Sequence, residues 1–175
     1  IIDYDPDKHV DASIADFFYV NGIQTDKTSA EHSAKLLTGI MNKEVKPIWS
    51  ERESFTGDLS KALQIDNGND FGKTSSKTEG DIRNNVIKSL TNGRNVKLVA
   101  HSRGTSEVAN ALWDVRSRLA ISGHKTEEIN EMMKKVEVIA LGTLAAPSDF
   151  PYDIKLTRIN NPDDPVSKLN QEKEL

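Results

Sequence analysis

The chain has 175 residues, a net charge of −4 at pH 7 and no cysteine. Its length suits one domain with a sizeable core, and its acidic balance argues against a nucleic-acid-binding surface. The missing cysteines exclude disulfides, thiolate chemistry and cysteine-based zinc sites, and no apolar run approaches the roughly 20 residues of a membrane span.

Residues 1–14 are polar and carry several acids, and they are interpreted as a lead-in to a single domain over residues 15–175. Residues 15–20 read Ala-Asp-Phe-Phe-Tyr-Val, and their aromatic and β-branched side chains predict a buried strand. We expect this strand to end at the turn pair Asn21-Gly22.

The next predicted elements are a helix and an edge strand. Thr28, with Glu31 three residues later, predicts the N-cap of the helix and a capping box. Apolar residues at helical spacing give the helix a buried face. Residues 45–49 predict a second strand, which Pro47 places at a sheet edge because proline cannot donate to a central ladder.

Residues 50–78 are the least regular part of the sequence. Residues 57–63 are compatible with a short helix, and residues 66–76 predict a polar surface loop. The glycines of this loop lack the spacing of a phosphate-binding loop, and Gly68 occupies a position where a calcium loop needs a ligand. We therefore expect no nucleotide or metal site there.

The second half of the sequence alternates strands with helices. Helices are predicted from Asp81 to Asn92-Gly93, from the apolar positions of 108–119 toward Gly123, and over 126–135. Strands are predicted at 96–101, at 136–142 and, half exposed, at 154–159. Such alternation predicts βαβ units. The expected fold class is α/β, a three-layer α/β/α sandwich with a mostly parallel sheet.

The turn after the predicted strand at 96–101 carries the most specific motif. Ala100-His101-Ser102-Arg103-Gly104 follows the small-x-Ser-x-Gly pattern, which holds a serine hydroxyl on a strained strand-to-helix corner. Gly104 is expected where the helix passes close to a strand. A second interpretation is that Ser102 only caps the helix. We expect the Arg103 side chain to point outward, although a role toward an anionic acyl or phosphate group stays open.

With this serine in an alternating α/β chain, the sequence resembles the α/β-hydrolase superfamily of lipases and esterases, and hydrolase-like domains of bacteria in particular. Three segments carry the resemblance: the elbow at 100–104, the glycine-containing segment 20–24, and the turn 161–166 after the last predicted strand. The resemblance covers roughly residues 15–170, and the elbow is its one specific motif.

The resemblance implies roles for four residues. Ser102 is the expected nucleophile, and the N–H groups of Arg103 and of Ile23, or a neighbour of Ile23, form the expected oxyanion hole. Asp164 is the expected triad acid, which orients the base. Asp163 is the nearer competitor, and an ordinary turn acid is an equal alternative for Asp164.

The base stays unassigned, because the superfamily order is serine, acid, histidine and no histidine follows Asp164. His101 is expected to point away from the Ser102 hydroxyl. One alternative, which we favour, is a histidine beyond Leu175 in a longer parent chain. The others are a catalytically silent relative, or service from an unusual position by one of the remaining histidines, His9, His32 and His124.

The expected function is that of a serine esterase or lipase-like acyl hydrolase. It would act through an acyl-Ser102 intermediate on a small-molecule or lipid ester, with no metal or organic cofactor and no nucleic-acid partner. The alternative is a catalytically silent binding domain of the same fold. A nucleotide-binding domain ranks third, because no glycine-rich phosphate loop follows a predicted strand. The polar residues 50–78 disfavour bulky triglycerides, while compartment and oligomeric state stay open.

Overall fold

The computed structural model describes residues 2–3, 12–22, 25–49, 77–161 and 163. Its strands are β1 (Ile2–Asp3), β2 (Ala15–Val20), β3 (Val45–Ile48), β4 (Asn95–His101), β5 (Val136–Leu141) and β6 (Lys155–Ile159). Its helices are α1 (Lys27–Met41), α2 (Lys77–Thr91), α3 (Arg103–Ile121) and α4 (Thr126–Met133), with short 3-10 helices at Ala12–Ile14 and Pro147–Asp149.

The strands form one sheet in the order β1-β6-β5-β4-β2-β3. Strands β2 to β6 are all parallel, and β1 is antiparallel to β6, so the α/β class is confirmed. The chain leaves β2 for the outer strand β3 and then returns to β4 on the other side of β2. This reversal creates a topological switch point at the carboxyl ends of β2 and β4, the place where open α/β sheets bind ligands.

Helices pack on both faces of the sheet. Phe18 and Val20 of β2 belong to a core cluster with residues of α2, α3 and α4. Phe17 and Tyr19 belong to a second cluster with residues of α1, because successive strand residues point to opposite faces. Among the described helices, α1 alone contributes to the second cluster, so a complete three-layer sandwich stays a prediction.

One edge of the sheet is formed by the predicted edge strand, and the other is formed by a strand that was not predicted. Strand β3, with Pro47, is the outermost strand next to β2, as predicted. At the opposite edge Ile2 pairs with Ile159. The segment interpreted as a lead-in therefore contributes a strand to the sheet.

Helix α1 is capped by Asp26 and not by the predicted Thr28. The Asp26 carboxylate accepts hydrogen bonds from the N–H of Ser29 at 2.8 Å and from its hydroxyl at 3.0 Å. Aspartate caps helices at least as well as threonine. The helix therefore begins at Lys27 and takes Thr28 into its first turn.

Helix α2 begins at Lys77, earlier than the predicted Asp81, and Glu79 lies in its first turn, where the helix dipole favours an acid. Its end is as predicted: Gly93 has a φ of 72°, and the N–H of Arg94 donates to the Ser89 carbonyl at 3.0 Å. This hydrogen bond satisfies a carbonyl that has no partner within the helix. The predicted helix at 57–63 and loop at 66–76 lie outside the described residues.

Ion pairs lie near the amino ends of the central strands. Lys97 Nζ lies 3.2 Å from Glu137 Oε2, and the two side chains are 10% and 1% exposed. The Lys97 ammonium also lies 5.7 Å from the centre of the Phe17 ring. Nearer the strand ends, Arg94 Nε lies 2.9 Å from an Asp16 carboxylate oxygen. A buried ion pair therefore lies on one face of the sheet, at the end opposite the switch point.

Candidate active site

Ser102 forms the turn between β4 and α3. Its φ is 52° and its ψ is −123°. Residues other than glycine rarely adopt a positive φ of this kind. Among the described non-glycine residues, Asn42 is the other case. Such a conformation costs on the order of 1–3 kcal/mol and persists where the surrounding structure enforces it. The extended strand thus bends abruptly into a helix at Ser102, as the motif predicts.

The capping interpretation of Ser102 is wrong. An N-cap serine has an extended backbone and accepts a hydrogen bond from an N–H of the first turn. Ser102 has a positive φ, and its side chain makes no capping hydrogen bond to α3. Ser102 is nearly buried, with 9% of its surface exposed, and Thr105 in the following turn is fully buried. The Ser102 hydroxyl therefore does not cap the amino end of α3.

Gly104 permits α3 to cross the end of β2 in direct backbone contact. A Cβ atom on Gly104 would lie 2.7 Å from the carbonyl oxygen of Asn21 and 2.8 Å from that of Val20. Both distances are shorter than real Cβ contacts, so any side chain would force the helix and strand apart. The close approach predicted at Gly104 is confirmed.

Gly22 brings the loop after β2 against the elbow. A Cβ atom on Gly22 would lie 2.9 Å from the Ser102 Cβ and 2.8 Å from the His101 Nδ1. The turn at the end of β2 is therefore in contact with the serine. Ile23, whose N–H is the expected second oxyanion donor, is the next residue in the chain and lies outside the described residues.

The main chain of Arg103 is well placed to act as a donor. Arg103 is the first residue of α3. The first N–H groups of a helix have no acceptor within the helix, and the helix dipole makes this end partly positive. An oxyanion formed at Ser102 would meet this end of the helix.

The side chain of Arg103 is buried, so the predicted outward orientation is wrong. Its Nε and one terminal nitrogen donate to Glu107 Oε1 at 3.2 and 2.8 Å, and Glu107 is also buried. The cause is the spacing, because residues i and i+4 lie on the same face of a helix and this face packs inward. The pairing places a carboxylate against the guanidinium beside the serine.

The turn that follows β6 lies at the same end of the sheet as Ser102. Strand β6 pairs in parallel with β5, and β5 pairs in parallel with β4. Asp163 is exposed, and its N–H donates to Asn161 Oδ1 at 3.0 Å. Asp164, the expected acid, lies outside the described residues, so its role stays a prediction.

Of the four histidines, His124 lies far from the serine and His32 is exposed. His32 is on the exposed side of α1, opposite the buried Ala30 and Ala34. His124 follows α3, which has 19 residues and is thus about 28 Å long, and its Nδ1 lies 3.6 Å from Glu128 Oε2. His101 packs against Gly22 at the edge of the site, and His9 lies outside the described residues.

Hydrogen bonds that the sequence did not reveal join three strand ends around the elbow. The Ser102 N–H donates to the Leu141 carbonyl at 3.0 Å, and the Gly142 N–H donates to the Ile159 carbonyl at 3.0 Å. The Thr143 N–H donates to Asn160 Oδ1 at 3.3 Å. The ends of β4, β5 and β6 are therefore tied into one surface.

Within the described ranges, no cluster of three or more histidine, aspartate or glutamate side chains is arranged to hold a metal ion. None of the helices in those ranges is both long and apolar enough to cross a membrane. No protein-family model matches the chain, and comparisons with curated proteins and with solved structures found no significant match.

Proposed function

We propose that this chain is a serine hydrolase domain of the α/β-hydrolase type, an esterase or lipase-like acyl hydrolase with Ser102 as its nucleophile. The observation that carries the proposal is the positive φ of Ser102 at a strand-to-helix turn on the switch point of the sheet. Two glycines, Gly22 and Gly104, accommodate this turn. A serine with a purely structural role would need neither the strained backbone nor the close contact with Gly22.

In the proposed reaction, the Ser102 hydroxyl attacks the carbonyl carbon of an ester and gives its proton to a base. The negative charge that develops on the carbonyl oxygen is held by the N–H of Arg103 and by an N–H of the segment after Gly22, for which Ile23 is our candidate. The alcohol leaves with a proton, and water then releases the acid from acyl-Ser102. Asp164 is proposed to orient the base.

The identity of the base is narrowed by distance. His124 is a helix length from Ser102, and His32 is on the solvent side of α1. The position of His124 does not support proton transfer, which requires a heavy-atom separation of about 3 Å or one bridging water. The proposal therefore assigns no role in proton transfer to His124, and His32 stays an alternative.

A fluorophosphonate probe tests the proposal, because it phosphonylates activated serines. We expect mass spectrometry to locate the adduct on Ser102, and Ser102→Ala to abolish labelling. Ser117→Ala is the matched control, since Ser117 lies on the exposed side of the same helix, and it should be labelled like the unaltered protein. Absence of labelling in the folded full-length protein would contradict the hydrolase proposal.

A catalytically silent binding domain is the second candidate, and the remote position of His124 favours it. On that reading folded protein is not labelled, and Ser102→Ala leaves the affinity for any bound ester unchanged. The probe experiment therefore separates the two functions.

Gly22→Ala provides a test of the contact between the loop and the serine. The added methyl would overlap the Ser102 Cβ and crowd His101, so the loop must shift away from the nucleophile. Displacements of about 1 Å at a reacting centre can cost about 10²-fold in rate. We expect labelling to slow by about that factor. A labelling rate equal to that of Gly39→Ala, which adds a methyl into open space, would contradict the contact.

A further inference from the structure

We propose that Thr105 is a positioning residue that aims the Arg103 N–H at the developing oxyanion. The inference rests on the proposed function, and it names a residue that the elbow motif does not include. Thr105 is fully buried in the first turn of α3. Its hydroxyl connects the elbow with the loop after β5.

The Thr105 hydroxyl uses its entire hydrogen-bonding capacity. A hydroxyl has one proton to donate and two lone pairs that accept. Thr105 Oγ1 donates to the Ser102 carbonyl at 2.6 Å. It accepts from the N–H of Leu144 at 3.0 Å and from the N–H of Ala145 at 3.4 Å. With all three positions occupied, the hydroxyl is held in one orientation.

These bonds set the direction of the Arg103 N–H through the peptide group. The carbonyl of Ser102 and the N–H of Arg103 belong to one planar trans peptide, so they point in opposite directions. The Ser102 carbonyl accepts from the Thr105 N–H at 2.9 Å as well as from the hydroxyl. Two donors from one residue therefore fix the plane in which the Arg103 N–H lies.

The loop after β5 supplies the fixed reference for this arrangement. The Ala145 N–H also donates to Thr143 Oγ1 at 3.1 Å, and Thr143 Oγ1 donates to the Ala145 carbonyl at 2.9 Å. The Thr143 N–H donates to Asn160 Oδ1, beyond β6. The Arg103 N–H is thus oriented relative to two further strands, and not by α3 alone.

Thr105→Val tests the proposal, because valine keeps the shape and removes the hydroxyl. We expect the maximal rate of fluorophosphonate inactivation to fall by about 10²-fold, the effect of losing one oxyanion donor, with the half-saturating probe concentration unchanged. Thr105→Ser keeps the hydroxyl and should restore the rate to within a few-fold. If Thr105→Val does not fold, Thr105→Ala makes the same measurement.

Thr38→Val is the matched control. The Thr38 hydroxyl also donates to a helix carbonyl, that of Ala34 at 2.9 Å, and accepts a strand N–H, that of Val45 at 3.0 Å. Thr38 belongs to α1, and its hydroxyl contacts the amino end of β3, whereas Ser102 lies at the carboxyl end of the parallel strands. We expect Thr38→Val to lower stability and to leave the inactivation rate unchanged. If the role of Thr105 were merely structural, Thr105→Val would behave in the same way as Thr38→Val.

A second measurement does not depend on reactivity. In ¹⁵N-labelled protein, the Arg103 amide signal should shift and exchange faster in Thr105→Val, and stay in place in Thr105→Ser and Thr38→Val. An unchanged Arg103 amide in Thr105→Val would overturn the positioning role. If the unaltered protein is not labelled by the probe, the hydrolase proposal fails, and the amide signal still decides the role of Thr105.

Discussion

Gly104→Ala is expected to destabilise the protein by about 3 kcal/mol, at the upper end of the range for overpacked sites. The new Cβ would meet two backbone carbonyl oxygens, at 2.7 and 2.8 Å, and the Val20 Cγ1 at 3.1 Å. Backbone atoms of a central strand cannot rotate away as the end of a flexible side chain can. The helix propensity that alanine adds, about 1 kcal/mol, is too small to offset the clash.

Gly39→Ala is the matched control for this prediction. Gly39 lies within α1, and a Cβ there would have no other heavy atom within 4 Å. We expect a gain of about 0.5–1 kcal/mol from helix propensity alone. Urea unfolding measures both variants through the transition midpoint and its slope. Equal midpoints for the two variants would show that α3 does not press against β2 as described.

Glu137→Leu is expected to cost about 3–5 kcal/mol, the penalty for breaking a buried ion pair. The change leaves the Lys97 ammonium in the sheet without the carboxylate that now lies 3.2 Å away. Thermal unfolding and urea unfolding both report the loss. Because burial of an unpaired charge is the cause, replacing Lys97 as well, by Met, should recover most of the stability.

The exposed pair Lys134–Glu131 provides the control. Its nitrogen–oxygen distance is 2.6 Å, shorter than that of the buried pair, yet both side chains are exposed. Exposed pairs contribute about 0–1 kcal/mol, so Glu131→Gln should change stability by less than about 1 kcal/mol. If Glu137→Leu costs no more than Glu131→Gln, the pair within the sheet is solvated and the prediction is wrong.

Local sequence patterns predicted the elements that depend on neighbouring residues. The apolar run before Ser102 predicted β4, and the serine and glycine spacing predicted the sharp turn and the close approach at Gly104. Pro47 predicted an edge strand, because a missing N–H has the same consequence in any sheet. In each case, the physical cause lies within a few residues of the feature.

Features that join distant parts of the chain were not predictable. Nothing in the local sequence distinguishes Thr105 from other threonines in a first helical turn. Its role depends on hydrogen bonds from the loop at 144–145, which is distant in the sequence. Lys97 and Glu137 lie 40 residues apart in the sequence, and only the parallel register of β4 and β5 makes them partners. The buried orientation of Arg103 depends on which face of α3 packs inward, and a single turn of sequence does not determine that.

The segments that contact the elbow lie far apart along the chain: Gly22 after β2, Leu141 in β5, and the loop at 144–145. A peptide containing residues 96–104 alone would carry the motif without the contacts that strain it. Contacts between sequence-distant segments form late, because the intervening chain must first be ordered. On refolding, the strained corner should therefore be acquired only after β5 and the segment after β2 have packed against it.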